Sequence, residues 1–342
     1  MRDDDKLLSE PGLSFGSGIV GACDVCGERQ AVIILQKERF KLCVLDFLNK
    51  TWITSKPTPG APLPLYRSDR VVFDTDHSPS GKAQAVVLTP TKQVRHPVVL
   101  ITPDVYGLTT QLLDAAVRFA REGFEVLLPD IGTVNSIGAG NHLAMRIGVR
   151  RGGVPMHSTR VQGMVDLYQD AMQCLKARPM VDPDKAAVFG ASYGGSLAIA
   201  YAGQTHGLSA ILLAYPAPVA PFEYLGLLTG PVLLVSGGRD RLARRCREEL
   251  VKAEQKFPIN VEHFFLPYGR HDFLARDKSS YDLTLAEMAW AKMGEFLKAR
   301  LFPPPPKPPS PPRAAVAAPS PGPSAKSVVA TPGVAATPAR PA

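Results

Sequence analysis

The chain has 342 residues, a formal net charge of +8 and five cysteines, and 45% of its residues are hydrophobic. That length accommodates a large buried core, and no apolar run approaches the roughly 18 uninterrupted residues of a membrane span, which argues against a membrane protein. The excess charge lies in a C-terminal tail (Lys307, Arg313, Lys326, Arg340) and in a cluster (Arg239, Arg241, Arg244, Arg245, Arg247) followed by Glu248 and Glu249; without interleaved aromatics it reads as solvated charge, not a nucleic-acid surface.

The N-terminal stretch MRDDDKLLSEPG is acidic and broken by Glu10 and Pro11, a poor signal peptide. The cysteine count is odd, and Cys174 and Cys246 fall inside predicted helices. That usage fits a reducing compartment rather than a disulfide framework, and a cytoplasmic location is expected. Residues 1–65 form a small module of their own. Cys23-Asp24-Val25-Cys26 precedes an alternating apolar segment, Ala31 to Leu35, and then Phe40 to Asp46 with Cys43. A CxxC knuckle, a short hairpin and a third cysteine is how small zinc modules begin. Asp46 stands where the fourth ligand is expected. Two readings stay open: a structural zinc held by Cys23, Cys26, Cys43 and Asp46, or a reduced cysteine-containing hairpin docked on the main domain. Lys56 to Pro64 reads as an extended linker.

From Tyr66 to Phe302 strand and helix signals alternate. Val71 to Phe73 and Ala83 to Leu88 suggest an antiparallel opening, and Pro97 to Thr102 is the continuous apolar run of a strand buried on both faces. A helix is expected over Thr110–Arg121, then a strand from Phe124 to Leu128 ending at Pro129-Asp130. Glycine-rich residues 131–157 read as a long loop or partial lid. Ser158 suits the N-cap of a helix with Val161, Met164, Val165, Tyr168, Met172 and Leu175 on one face. A strand over Ala186–Phe189 runs into Gly190-Ala191-Ser192-Tyr193-Gly194-Gly195 and a small-residue helix. Further strands are expected over Ala210–Ala214, Val232–Ser236 and Val261–Leu266, with a basic helix after Asp240 and a closing helix over Leu283–Leu301. Repeated strand–helix units imply an α/β fold, a mostly parallel sheet flanked by helices on both faces, with its site at the carboxyl ends of the strands. Residues 303–342, opening PPPPKPPSPPR, are expected to be a disordered tail; a PxxP contact with a protein partner is the weaker reading.

Gly190 to Gly194 is a G-x-S-x-G pattern between a strand and a helix, the setting in which a serine becomes a nucleophile. A serine hydroxyl needs a base in contact and a third group that orients the base. In parallel-sheet hydrolases these follow in the order serine, acid, histidine. Asp240 ends the glycine turn after Val232–Ser236, and His271 ends the turn after Val261–Leu266. Ser192, Asp240 and His271 are therefore the candidate triad. The backbone N–H groups of Tyr193 and Val105 are the candidate oxyanion donors.

Four stretches carry a resemblance: VVLITPDVYGLTTQLLDAAVRFAREGFEVLLPD, AAVFGASYGGSLAIAYA, PVLLVSGGRD and PYGRHDFLARD. In this order they resemble the dienelactone hydrolase family within the α/β-hydrolase superfamily, over roughly residues 66–302. The resemblance implies an α/β-hydrolase fold and hydrolysis of a small-molecule ester, lactone or related acyl bond, with no cofactor for catalysis. Its best-known members carry a cysteine at the position of Ser192, and a glutamate at the position of Asp104. They hold an acidic substrate with arginines at two positions; here Ile131-Gly132-Thr133 follows Pro129-Asp130, and Arg276 stands one position late. Asp104, Tyr106 and Arg276 are kept as substrate-binding candidates. Two other classes stay open: a peptidase of the prolyl-oligopeptidase type, and a non-enzymatic partner-binding protein on a hydrolase fold.

Overall fold

The computed structural model describes residues 66–302, apart from positions 79, 93, 105, 106, 108, 131–148 and 150, together with three short N-terminal strands. Those strands, β1 (Leu13–Phe15), β2 (Ile33–Leu35) and β3 (Phe40–Leu42), form an antiparallel sheet in the order β1-β2-β3, with Ile33 opposite Leu42.

The main sheet has eight strands. They are β4 (Tyr66–Asp74), β5 (Lys82–Pro90), β6 (His96–Thr102), β7 (Glu125–Asp130), β9 (Val181–Ala191), β10 (Ala210–Ala214), β12 (Val232–Gly237) and β13 (Val261–Leu266). Their order is β13-β12-β10-β9-β6-β7-β5-β4. Only β5 runs against its neighbours; the five pairings from β13 to β6 and on to β7 are all parallel. The reason is visible in the strands. β6 is buried along its whole length, as a strand covered on both faces must be, whereas β4 alternates buried and open positions at the sheet edge.

Side-chain alternation divides the core into two layers. Ala187 and Phe189 of β9, Leu212 of β10 and Leu233 and Val235 of β12 face one layer. There they meet α1 (Thr110–Arg121) and α5 (Leu283–Leu301) through Phe119, Trp290 and Met293. Val188, Ile211, Leu213 and Leu234 face the other layer, against α2 (Thr159–Lys176), α3 (Tyr193–Gln204) and α4 (Arg241–Lys256). α2 begins as its sequence predicts, with the Ser158 hydroxyl accepting from Val161 N–H at 3.3 Å.

Three features depart from the sequence reading. β9 begins at Val181, five residues before the expected Ala186, because Val181 pairs with His96 ahead of an irregularity in the ladder. Residues 154–155, expected as loop, form β8 and pair in parallel with β11 (Val219–Ala220). Residues 222–227, for which no element is expected from sequence, fold into a 3-10 helix, Phe222–Leu227. No helix among the described residues is long and apolar enough to cross a membrane.

Candidate active site

The chain passes from β6 outward to β7 on one side and from β9 outward to β10, β12 and β13 on the other. The order therefore reverses between β6 and β9, the place where open α/β sheets hold their ligands, at the carboxyl ends of the strands.

Ser192 stands at that point, between the last residue of β9 and the first of α3. Its backbone is strained, with φ 54° and ψ −123°, a region that non-glycine residues rarely occupy. The turn survives because neighbouring backbone closes on it. Ser192 N–H donates to Ala214 O at 3.0 Å, Gly195 N–H donates to Ser192 O at 3.1 Å, and Thr102 Oγ1 donates to Gly194 O at 2.7 Å. A Cβ on Gly194 would lie 2.7 Å from Thr102 O, so the crossing of β6 and the turn requires glycine there. Tyr193 opens α3, and its N–H is among those that a helix leaves without an intrahelical partner.

Asp240 and His271 come from turns packed backbone to backbone. Arg239 N–H donates to Gly269 O at 2.9 Å, and Gly238 N–H donates to Leu266 O at 2.9 Å. A Cβ on Gly237 would collide with the Gly269 carbonyl. Asp240 also caps α4: its Oδ1 accepts from Leu242 N–H at 2.9 Å and Ala243 N–H at 3.0 Å. That leaves Oδ2 for the imidazole. His271 Nδ1 lies 2.6 Å from Asp240 Oδ2, and His271 Nε2 lies 2.9 Å from Ser192 Oγ. A carboxylate only accepts, so Nδ1 carries the proton and Nε2 presents its lone pair to the hydroxyl. Asp240 is buried, while His271 and Ser192 remain partly open.

Burial alone pushes the His271 pKa down. The hydrogen bond that His271 donates to Asp240 and the charges of Asp272, Asp240 and Asp104 outweigh it, and the net shift is upward. Asp272 Oδ1 lies 3.7 Å from Nε2, on the side facing Ser192. Asp104 is buried at the end of β6, where its backbone pairs with Gly107, and its charge reaches His271, Tyr193 and Tyr215.

The structure thus brings together Ser192, Asp240, His271, Tyr193 and Asp104 of the residues named from sequence. Arg276 is engaged by Asp114, with Nε 3.5 Å from Oδ2, and its side chain is nearly buried. Val105, Tyr106, Cys23, Cys26, Cys43 and Asp46 lie outside the described residues. The sequence reading missed Tyr215, whose ring packs edge-on against His271 with centroids 5.3 Å apart. Its position directly after Ala214, at the carboxyl end of β10, was the available signal.

Residues 83–301 match the model of the dienelactone hydrolase family. The chain belongs to the dienelactone hydrolase family. A putative carboxymethylenebutenolidase of Synechocystis is 22% identical over 218 residues, covering 60% of this chain and 87% of that protein. A probable 2-oxo-3-(5-oxofuran-2-ylidene)propanoate lactonase of Bradyrhizobium is 25% identical over 228 residues, covering 63% of this chain and 89% of its own length. Among solved structures, a putative dienelactone hydrolase from Klebsiella pneumoniae superposes with a TM-score of 0.55 at 19% identity, covering 67% of this chain and 98% of that one. At that identity the superposition speaks to the α/β-hydrolase fold. The family is one of hydrolases, and a small-molecule substrate goes with it.

Proposed function

We propose that this dienelactone hydrolase family member is a serine hydrolase that cleaves a carboxylic ester, lactone or related acyl bond through Ser192, His271 and Asp240. The observation that supports the reading most directly is the continuous relay from Ser192 Oγ through both imidazole nitrogens to Asp240, at 2.9 and 2.6 Å.

In the proposed reaction His271 Nε2 takes the Ser192 proton as Oγ attacks the acyl carbon. Asp240 stabilises the imidazolium that forms. The N–H groups of Tyr193 and Val105 receive the developing oxyanion, Tyr193 with the N-terminal dipole of α3 behind it. The imidazolium then protonates the departing alkoxide and leaves an acyl-serine. A water that gives its proton to His271 attacks that ester, and the acid leaves as Ser192 recovers its hydrogen. No step needs a cofactor.

Ser192→Ala is expected to lower turnover of short p-nitrophenyl esters by about a thousandfold or more and to abolish labelling by a fluorophosphonate probe. Wild-type rates in that variant would sink the assignment. A cytoplasmic location is proposed with it, from the cysteine usage of the chain. For residues 1–65 it keeps the structural zinc on Cys23, Cys26, Cys43 and Asp46, for which metal analysis of the purified chain is the test: zinc is expected at about one per chain, and zinc-free folded protein overturns the proposal.

A further inference from the structure

Among the described residues, three that are not glycine have positive φ: Ser192 at 54°, Tyr215 at 37° and Asp272 at 60°. All three surround one imidazole. Ser192 Oγ is 2.9 Å from His271 Nε2, Asp272 Oδ1 is 3.7 Å from it, and the Tyr215 ring centroid is 5.3 Å from the His271 ring. Strain of this kind persists only where the surroundings over-determine it, and it concentrates at functional sites.

Tyr215 takes no part in the relay, yet it is completely buried and joins three parts of the site. Through its backbone it belongs to the segment that braces the nucleophile. Tyr215 N–H donates to Val235 O at 2.7 Å; Ala214 O accepts from Ser192 N–H, and Ala217 N–H donates to Ser192 O, both at 3.0 Å. Its ring stands edge-on between His271 and Phe273, 5.3 Å from each. Its hydroxyl donates to Gln111 Oε1 at 2.5 Å. Gln111 is buried in the first turn of α1, just past the loop that leaves β6. A glycine would meet the backbone at 215 without strain, so the side chain must contribute what offsets it.

We propose that Tyr215 and Gln111 form a positioning pair that holds the His271 imidazole in line with Ser192 Oγ. Asp240 holds the ring at one atom, Nδ1, which leaves it free to swing and carry Nε2 away from the hydroxyl. The Tyr215 ring closes off that swing, and its own rocking is stopped by the bond to Gln111. The proposal rests on the triad reading above.

The test uses Tyr215→Phe, Gln111→Leu and the double variant in the full chain. Each single change removes the Tyr215–Gln111 hydrogen bond and keeps the Tyr215 or α1 packing, and Tyr215→Phe also removes the bond between the hydroxyl and the Leu274 backbone. Each is expected to lower kcat on p-nitrophenyl acetate about tenfold with KM unchanged, as loss of an ordinary hydrogen bond would, and the double variant should fall no further than Tyr215→Phe alone. The low-field proton resonance of the His271–Asp240 bond is expected to broaden in all three. Wild-type kcat with a sharp, unshifted resonance in Tyr215→Phe overturns the proposal, as do losses that simply multiply in the double variant. Should Tyr215→Phe fail to fold, Gln111→Leu reads the same bond without touching the strained residue. If the wild-type chain shows neither turnover nor fluorophosphonate labelling, the triad reading has failed, and the resonance alone still decides whether the pair positions the ring.

Discussion

His271 is bordered by carboxylates at both nitrogens, with Asp240 bonded to Nδ1 and Asp272 beside Nε2. A general base must be neutral to accept the serine proton, so an upward pKa moves the acid limb of kcat/KM upward too. Activity is then lost as pH falls through that raised value. Asp272→Asn removes one of the charges responsible, and the acid limb is expected to move to lower pH while the alkaline side stays in place. Initial rates on a neutral ester from about pH 5 to about pH 9 measure this; an unmoved limb would assign the shift to Asp240 and Asp104. Sequence adjacency gave no sign of this carboxylate's place. A residue next to His271 in an extended turn would point away, and it is the φ of 60° at Asp272 that brings Oδ1 round to Nε2. Asp240 was easier to see, because a residue ending a strand-to-helix glycine turn is restricted to few directions. Its two ordinary readings, helix cap and triad acid, describe one carboxylate that uses a different oxygen for each.

At the scale of elements, apolar pattern was sufficient wherever regular packing against the core decides the segment. Thr110–Arg121, Ala210–Ala214, Val261–Leu266 and Leu283–Leu301 have in the structure the bounds that their residues predict. Period failed where a long-range partner decides. The strand expected over Ala186–Phe189 begins at Val181, because Val181 pairs with His96, and Asp182 to Lys185 lie in the irregularity before Ala186 pairs with Val98. β8 and β11 are two residues each and exist only as partners of one another. The turns carrying Asp240 and His271 show the same limit. Glycines 237, 238 and 269 read locally as turn formers, but Gly237 also lacks a side chain because the Gly269 backbone occupies its place. That contact sets the separation of acid and base.

Over the whole molecule, the layer of core shared by the sheet, α1 and α5 supports the nucleophile strand. Phe189, three residues before Ser192, is fully buried, with ring centroids 5.5 Å from Phe119 and 5.9 Å from Trp290. Phe189→Ala is expected to cost about 4 kcal/mol of stability, combining lost transfer energy with an unfilled cavity. Urea unfolding measures it as a lower midpoint at unchanged slope; a loss under about 1 kcal/mol would mean that the surrounding rings collapse into the space. From the sequence by itself came the fold class, the alternation of elements, and Ser192, Asp240 and His271 as the residues to watch, because burial on two faces and strand-end turns leave local signatures. Only the tertiary structure decided which charges and rings surround the imidazole. Asp272 and Tyr215 reach His271 through strained backbone, and Gln111 reaches Tyr215 across more than a hundred residues of chain, a meeting that no local pattern records.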